Sequence, residues 1–292
     1  MSGSPVADVR RVLVTGAQGF IGHAVIRTFS SAGICCNSFD GRLSTLHQLS
    51  IEIDAVVHLA AVSRPTNFQG NLEAWSSNVT GTLDVINFCL SRGAGLILAS
   101  TSGVYRHPSE PVSLDENAPL APASDYAISK WLAETLVQRQ AAQHGLASLI
   151  LRVFNPYGSG QNPAFAVQSV VTRLAGGASL FINNPDAVRD FIHVDDVAYA
   201  FLCAAKTLRP GECPVVNVGT GRGVTILELA RIGEKVFGPA VSLETNPDQI
   251  GQGGYVVANI SRGATLLGWR PRISLEEGLT RMRQDIQPEG MQ

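Results

Sequence analysis

The segment Val12-Leu13-Val14-Thr15-Gly16-Ala17-Gln18-Gly19-Phe20-Ile21-Gly22 constrains this chain more than any other. Three apolar β-formers run into a Gly-x-x-Gly-x-x-Gly turn, and Ile21 to Ser31 then carries a helical pattern. Each glycine has a physical task. Gly16 permits the tight turn, Gly19 lets the backbone approach a pyrophosphate, and Gly22 lets the helix pack close to the strand. The free amides of the helix N-terminus would hold that pyrophosphate. A second strand, Ile34 to Phe39, ends in Asp40, 18 residues after Gly22. A carboxylate there accepts hydrogen bonds from an adenosine ribose, which favours NAD. Arg42 could meet a 2′-phosphate instead, so NADP stays open.

Short apolar runs continue to alternate with helical patterns. Strands are expected at Ala55–Leu59, Leu96–Ser100 and Ala147–Val153, and helices at Trp75–Ser91 and Ser124–Gln143. That order predicts an α/β fold, a Rossmann-type doubly wound parallel sheet with a smaller C-terminal substrate domain. Residues 1–9 read as a flexible lead-in and 10–165 as the NAD(P)-binding domain, with segments near 187–220 returning to it. Residues 166–186 and 221–292, rich in Gly, Pro and Asn, read as the substrate-binding domain. Only 16% of residues are charged, as a sheet buried on both faces requires. A net charge of −2 without any Lys/Arg run argues against nucleic acid as a partner. Apolar runs are too short to span a membrane, and no signal-peptide core is seen at the N-terminus. Cys35, Cys36, Cys89, Cys203 and Cys213 have no metal-ligand spacing and read as reduced thiols of a cytoplasmic protein.

Tyr126 and Lys130 lie four apart on the expected helix, on one face. An ammonium beside a phenol stabilises the phenolate, which makes tyrosine usable as an acid/base. By itself the spacing also suits an ordinary amphipathic helix. The preceding strand ends Ser100-Thr101-Ser102, placing hydroxyls where open α/β sheets bind ligands.

As an ordered set these motifs resemble the extended short-chain dehydrogenase/reductase superfamily, in its NAD-dependent epimerase/dehydratase branch. TGAQGFIG is similar to its dinucleotide fingerprint, and DAVVHLAA, ending in Leu59, Ala60 and Ala61, to its adenine-side strand. NVTGT from Asn78, STSGVY, YAISK, LRVFNPYG, RDFIHVDDVA, NVGTG and LGWRP follow in family order. The resemblance implies Tyr126 as acid/base, Lys130 lowering its pKa and holding the nicotinamide ribose, and Thr101 on the reacting sugar oxygen. It implies further cofactor contacts from Gln18, Phe20, Ile21, Asn78 and Ser100. Substrate contacts would come from Ser102, Asn155, Arg64 and Arg189, the last as a fork on a diphosphate. Arg64 could equally be a solvated loop charge, and Arg189 an ion-pair partner of Asp195 or Asp196.

The usual substrates of the family are nucleotide-diphosphate sugars, and a homodimer through the two expected helices at 75–91 and 124–143 is implied. Departures narrow the chemistry. Dehydratases carry Asp-Glu after the threonine, where this chain has Ser102-Gly103. Gln249 and Gln252 stand where uridine-diphosphate epimerases have Arg-x-x-Asp, and Asn259 replaces an Asp. The leading expectation is a nucleotide-sugar epimerase with tightly held NAD. The runner-up is an NAD(P)H-dependent 4-ketoreductase of a nucleotide-activated 6-deoxy sugar. A non-sugar ketone reductase and a non-catalytic dinucleotide sensor follow behind. His58 and His193 read as structural.

Overall fold

The computed structural model describes residues 8–63, 68, 71–108, 110–251 and 254–286. Arg64 and Gln252 lie outside the described residues. In chain order the first half runs β1 (Arg11–Thr15), α1 (Phe20–Ser31), β2 (Cys35–Phe39), β3 (Ala55–His58), α2 (Leu72–Trp75), α3 (Gly81–Arg92), β4 (Gly95–Thr101), α4 (Asp125–His144) and β5 (Ser148–Val153). The second half runs β6 (Asn155–Tyr157), α5 (Ala166–Ala175), β7 (Leu180–Ile182), β8 (Val188–Arg189), β9 (Phe191–His193), α6 (Val194–Ala205), β10 (Val215–Val218), β11 (Val224–Thr225), α7 (Ile226–Phe237), β12 (Leu243–Thr245), β13 (Tyr255–Val256), α8 (Ser261–Leu267) and α9 (Leu275–Ile286).

Six parallel strands form the main sheet in the order β10-β5-β4-β3-β1-β2. The strand order reverses between β1 and β3, and the glycine turn leaves β1 at that point. A crevice opens there because the chain departs to opposite sides. Alternation along the strands explains the two buried faces. Val12, Val14, Val57, Ile97, Leu149 and Leu151 face α1 and α6. Leu13, Val56, Leu96, Leu98 and Ile150 face α3 and α4. This is the near-continuous apolar strand sequence of a sheet covered on both sides.

The helix expected over Trp75–Ser91 is interrupted. Leu72–Trp75 is followed by a π-helical turn, Ser76–Thr80, before α3 begins at Gly81. Buried hydrogen bonds from Asn78, described below, hold that wider turn in place. At Gly81, a Cβ would stand 2.5 Å from Leu43 Cδ1, so a larger residue there would require the Leu43 side chain to turn aside. On α4, the side chain of Ser124 caps the first turn by accepting from Ala127 N at 3.2 Å, and Gly145 ends the helix at φ +71°.

A second apolar cluster lies under α5, α7 and α9, built from Val167, Val170, Leu174, Leu229, Val236, Leu279 and Met282. The late segment Ser261–Trp269 differs from the rest of the C-terminal region. Leu267 and the fully buried Trp269 join the first core, and Trp269 Nε1 donates to Asp196 O at 3.1 Å.

Asp190 joins these layers. Its buried carboxylate accepts from Thr220 N at 2.7 Å, Thr220 Oγ1 at 2.5 Å, Gly221 N at 2.9 Å and Ala258 N at 3.1 Å. Asp190→Asn presents an NH2 to donors that need an acceptor. We expect it to cost about 2–4 kcal/mol in urea unfolding, with the urea dependence unchanged.

Candidate active site

The crevice at the strand reversal is a cleft of about 480 Å³. Gly16, Gly19, Phe20, Ile21 and Gly22 form one wall, with Leu59 and Ala61 beside them. Ser100, Thr101 and Ser102 at the end of β4, Tyr126 and Lys130 on α4, and Asn155 on β6 complete the set of expected residues that it brings together. Ala60 lies behind this wall. A Cβ on Gly16, at φ +69°, would stand 2.7 Å from Ala60 N, and one on Gly22 would collide with the carbonyl oxygens of Gly16 and Ala17. The cradle therefore exists only because these positions lack side chains. Gln18 and Asp40 sit at its exposed rim, where Gln18 Nε2 donates to Asp40 Oδ2 at 3.1 Å. Arg42 is exposed, with its carbonyl accepting from Thr45.

Behind the wall the polar groups form a closed chain. Thr15 Oγ1 lies 2.7 Å from His58 Nδ1, and His58 Nε2 lies 3.2 Å from Thr82 Oγ1. Burial, helped by the charge of Lys130, pushes the imidazole down to about 3, so His58 is neutral. Asn78 is fully committed. Its Oδ1 accepts from Val62 N at 2.8 Å, and its Nδ2 donates to Val62 O at 3.0 Å and Ser129 Oγ at 2.9 Å. Asn78 is not on the cleft wall; its side chain ties the loop after β3 to α4.

Thr101 Oγ1 accepts from Gly103 N at 3.1 Å, which holds the hydroxyl at the strand end. Tyr126 packs 6.5 Å from the Phe68 ring, and burial pushes its phenol up to about 12. The expected lowering by Lys130 is not what dominates here; desolvation of the phenolate does. Burial pulls Lys130 down to about 8, while Glu134 opposes that fall.

Arg189 is not on the cleft wall. Its Nη1 donates to Val188 O at 2.9 Å and Gly254 O at 2.8 Å. The alternative ion pair is also absent among the described residues: Asp195 pairs with Arg27 and Arg281, and Asp196 accepts from the backbone of Arg272 and Ile273. Gln249 Oε1 accepts from Asn184 N at 3.1 Å, bracing a left-handed residue at φ +47°.

The far wall went unread in the sequence. Gln161, Asn162, Phe165, Ala166, Val167 and Phe191 line it. Gln161 is 8% exposed; its Nε2 donates to Pro156 O at 2.6 Å, while its buried Oε1 has no hydrogen-bond partner. The N-terminus of α5 opens here with no side-chain cap and no acid in its first turn, as α1 does at the glycine cradle. Two helix N-termini facing one cleft suit two anionic groups. The sequence around it, Gly158 to Pro163, carries Gly, Asn and Pro, which mark a loop without showing what it faces.

The family model for the NAD-dependent epimerase/dehydratase family matches residues 12–219. The chain belongs to that family. UDP-glucose 4-epimerase of Azospirillum brasilense is 30% identical over 314 residues, covering 93% of this chain and 90% of the relative. UDP-glucuronic acid decarboxylase 3 of Arabidopsis thaliana is 28% identical over 309 residues, covering 94% and 89%. The solved structure of MoeE5 in complex with UDP-glucose and NAD superposes with a TM-score of 0.85 at 27% identity, covering 94% of this chain and 99% of that one. No helix among the described residues is long and apolar enough to cross a membrane.

Gly22→Ala tests the cradle. The added methyl meets backbone, which cannot swing aside, so α1 must move. We expect a loss of about 1–3 kcal/mol in stability and at least tenfold weaker NAD binding by calorimetry.

Proposed function

We propose that the chain is an NAD-dependent epimerase of a nucleotide-diphosphate sugar. One observation carries this reading: a single cleft joins the glycine cradle, the Thr101–Tyr126–Lys130 group and a second uncapped helix N-terminus. The cradle at α1 suits the cofactor pyrophosphate, with Asp40 and Gln18 at the adenosine ribose. The start of α5 suits the substrate diphosphate. NAD, when bound, supplies reversible hydride exchange at a sugar carbon.

The residues of the chain move the proton. Thr101 orients the reacting hydroxyl, and Tyr126 as phenolate takes its proton while the carbon gives up hydride. Lys130, as a cation, offsets part of the burial that disfavours the phenolate each cycle needs. The keto sugar then turns within the cleft, and Tyr126 returns the proton when hydride arrives on the opposite face. Among the described residues no carboxylate lines the cleft, so no carboxylic acid stands there beside Tyr126 to protonate a departing hydroxyl. That supports epimerisation or ketone reduction over loss of water. A homodimer through α3 and α4 belongs to the same reading, and Trp131 on α4 is 40% exposed.

The decisive experiment is a panel of nucleotide sugars, including UDP-glucose, UDP-glucuronic acid and a 4-keto-6-deoxy sugar nucleotide, each with and without NADPH. Epimer formation without net cofactor turnover is the expected result. Stoichiometric NADPH oxidation on the keto sugar would replace this reading with the 4-ketoreductase, and carbon dioxide release from UDP-glucuronic acid with a decarboxylase. Tyr126→Phe should lower kcat by about 10²–10⁴ with KM little changed; near wild-type turnover would end the acid/base assignment. Asp40→Ala should erode preference for NAD over NADP by about tenfold in paired affinity measurements.

A further inference from the structure

Glu134 lies one helical turn beyond Lys130 on α4, on the same face. It is 2% exposed, and it is held by residues from two strands. Arg152 on β5 donates to it from Nε at 2.9 Å and Nη2 at 2.7 Å, and Ser100 Oγ on β4 donates at 2.5 Å. The carboxylate is absent from the cleft wall, yet the strand that carries Thr101 fixes its place. The charged and titratable groups around Lys130 are few. Tyr126 precedes it by one turn on α4, His58 on β3 is neutral, and Arg152 on β5 stands behind Glu134. Glu134 is the negative group whose field reaches the ammonium.

We infer that Glu134 is a positioning residue that keeps Lys130 protonated at working pH, and that its pairing with Arg152 sets how strongly it does so. A buried ammonium loses its hydration and is driven toward the neutral amine. A neutral amine cannot stabilise the Tyr126 phenolate, whose own burial already disfavours it. The i+4 carboxylate offsets part of the lost hydration. Arg152 holds that carboxylate in place through Nε and Nη2, at the expense of diluting its field. The acid/base pair is thus poised by a third and a fourth residue that touch no substrate.

The test rests on the acid/base reading above but separates from it. The ε-carbon and ζ-nitrogen of Lys130 are followed by NMR across pH in isotope-labelled protein, assigned by Lys130→Met. The wild-type midpoint is expected near the value of about 8. Glu134→Gln leaves the Arg152 charge uncompensated and should lower the midpoint by about one unit or more. The alkaline limb of kcat should move down with it, because activity falls as Lys130 deprotonates. Glu134→Asp should recover part of the shift. Glu134→Gln/Arg152→Met removes both charges and keeps side-chain volume, so it should fold even if the single variant does not. Its midpoint should fall between those of the wild type and Glu134→Gln, and below the wild type in any case. A midpoint within about 0.3 unit of wild type in either folded variant overturns the inference, since errors of that size are below the effect of one nearby charge. An active Tyr126→Phe would instead sink the acid/base reading while leaving the lysine titration as predicted.

Discussion

The Asp190 carboxylate holds the two layers of this molecule in register. It takes hydrogen bonds from the loop after β10 and from the backbone after β13, while its neighbours point elsewhere. Phe191 reaches the cleft, and Arg189 reaches the Gly254 carbonyl. Burial raises the energy of the ionised carboxylate, and the ring of donors opposes that cost. A neutral or apolar side chain there would leave several backbone amides without acceptors.

The cleft follows from the sheet more than from any loop. All six main strands run parallel, so their carboxyl ends lie on one side, and the order reverses once between β1 and β3. Gly16 and Thr101 lie at the ends of two of those strands and meet in one crevice for that reason, joined by Asn155 on β6 just after β5. Polar side chains beneath it are used to fix backbone. Asn78 and His58 spend every hydrogen-bonding group on neighbours, and the residues that face the cleft are held by those that do not.

What could be read from the sequence was what local physics enforces. The glycine turn was legible because no other residue fits Gly16 or Gly22. The Tyr126–Lys130 face was legible from helical spacing. The π turn at Ser76–Thr80 was not, because its residues suit an α-helix and only the Asn78 contacts to Val62 and Ser129, distant in sequence, widen it. Gln161 and the start of α5 were hidden in a Gly/Asn-rich stretch whose pattern marks a loop without saying what it faces. Trp269 read as part of a tail motif; its packing on Asp196 depends on chain folding back across many residues. The direction of the Tyr126 shift was missed for a related reason. Spacing reveals a neighbouring charge, whereas burial is set by Phe68 and the rest of the fold.

The hydrogen bonds through His58 run one way. Thr82 gives its proton to the Asn78 carbonyl, so it must accept from His58 Nε2. His58 Nδ1 is then an acceptor for the Thr15 hydroxyl, which in turn accepts from Ala60 N. Every proton in this relay is assigned, and no member can reverse without stranding another. The imidazole acts as a rigid strut of fixed polarity between the cradle and the π turn. A ring that gained a second proton would offer two donors and no acceptor, and the strut would break at Thr15, directly beneath the glycine turn.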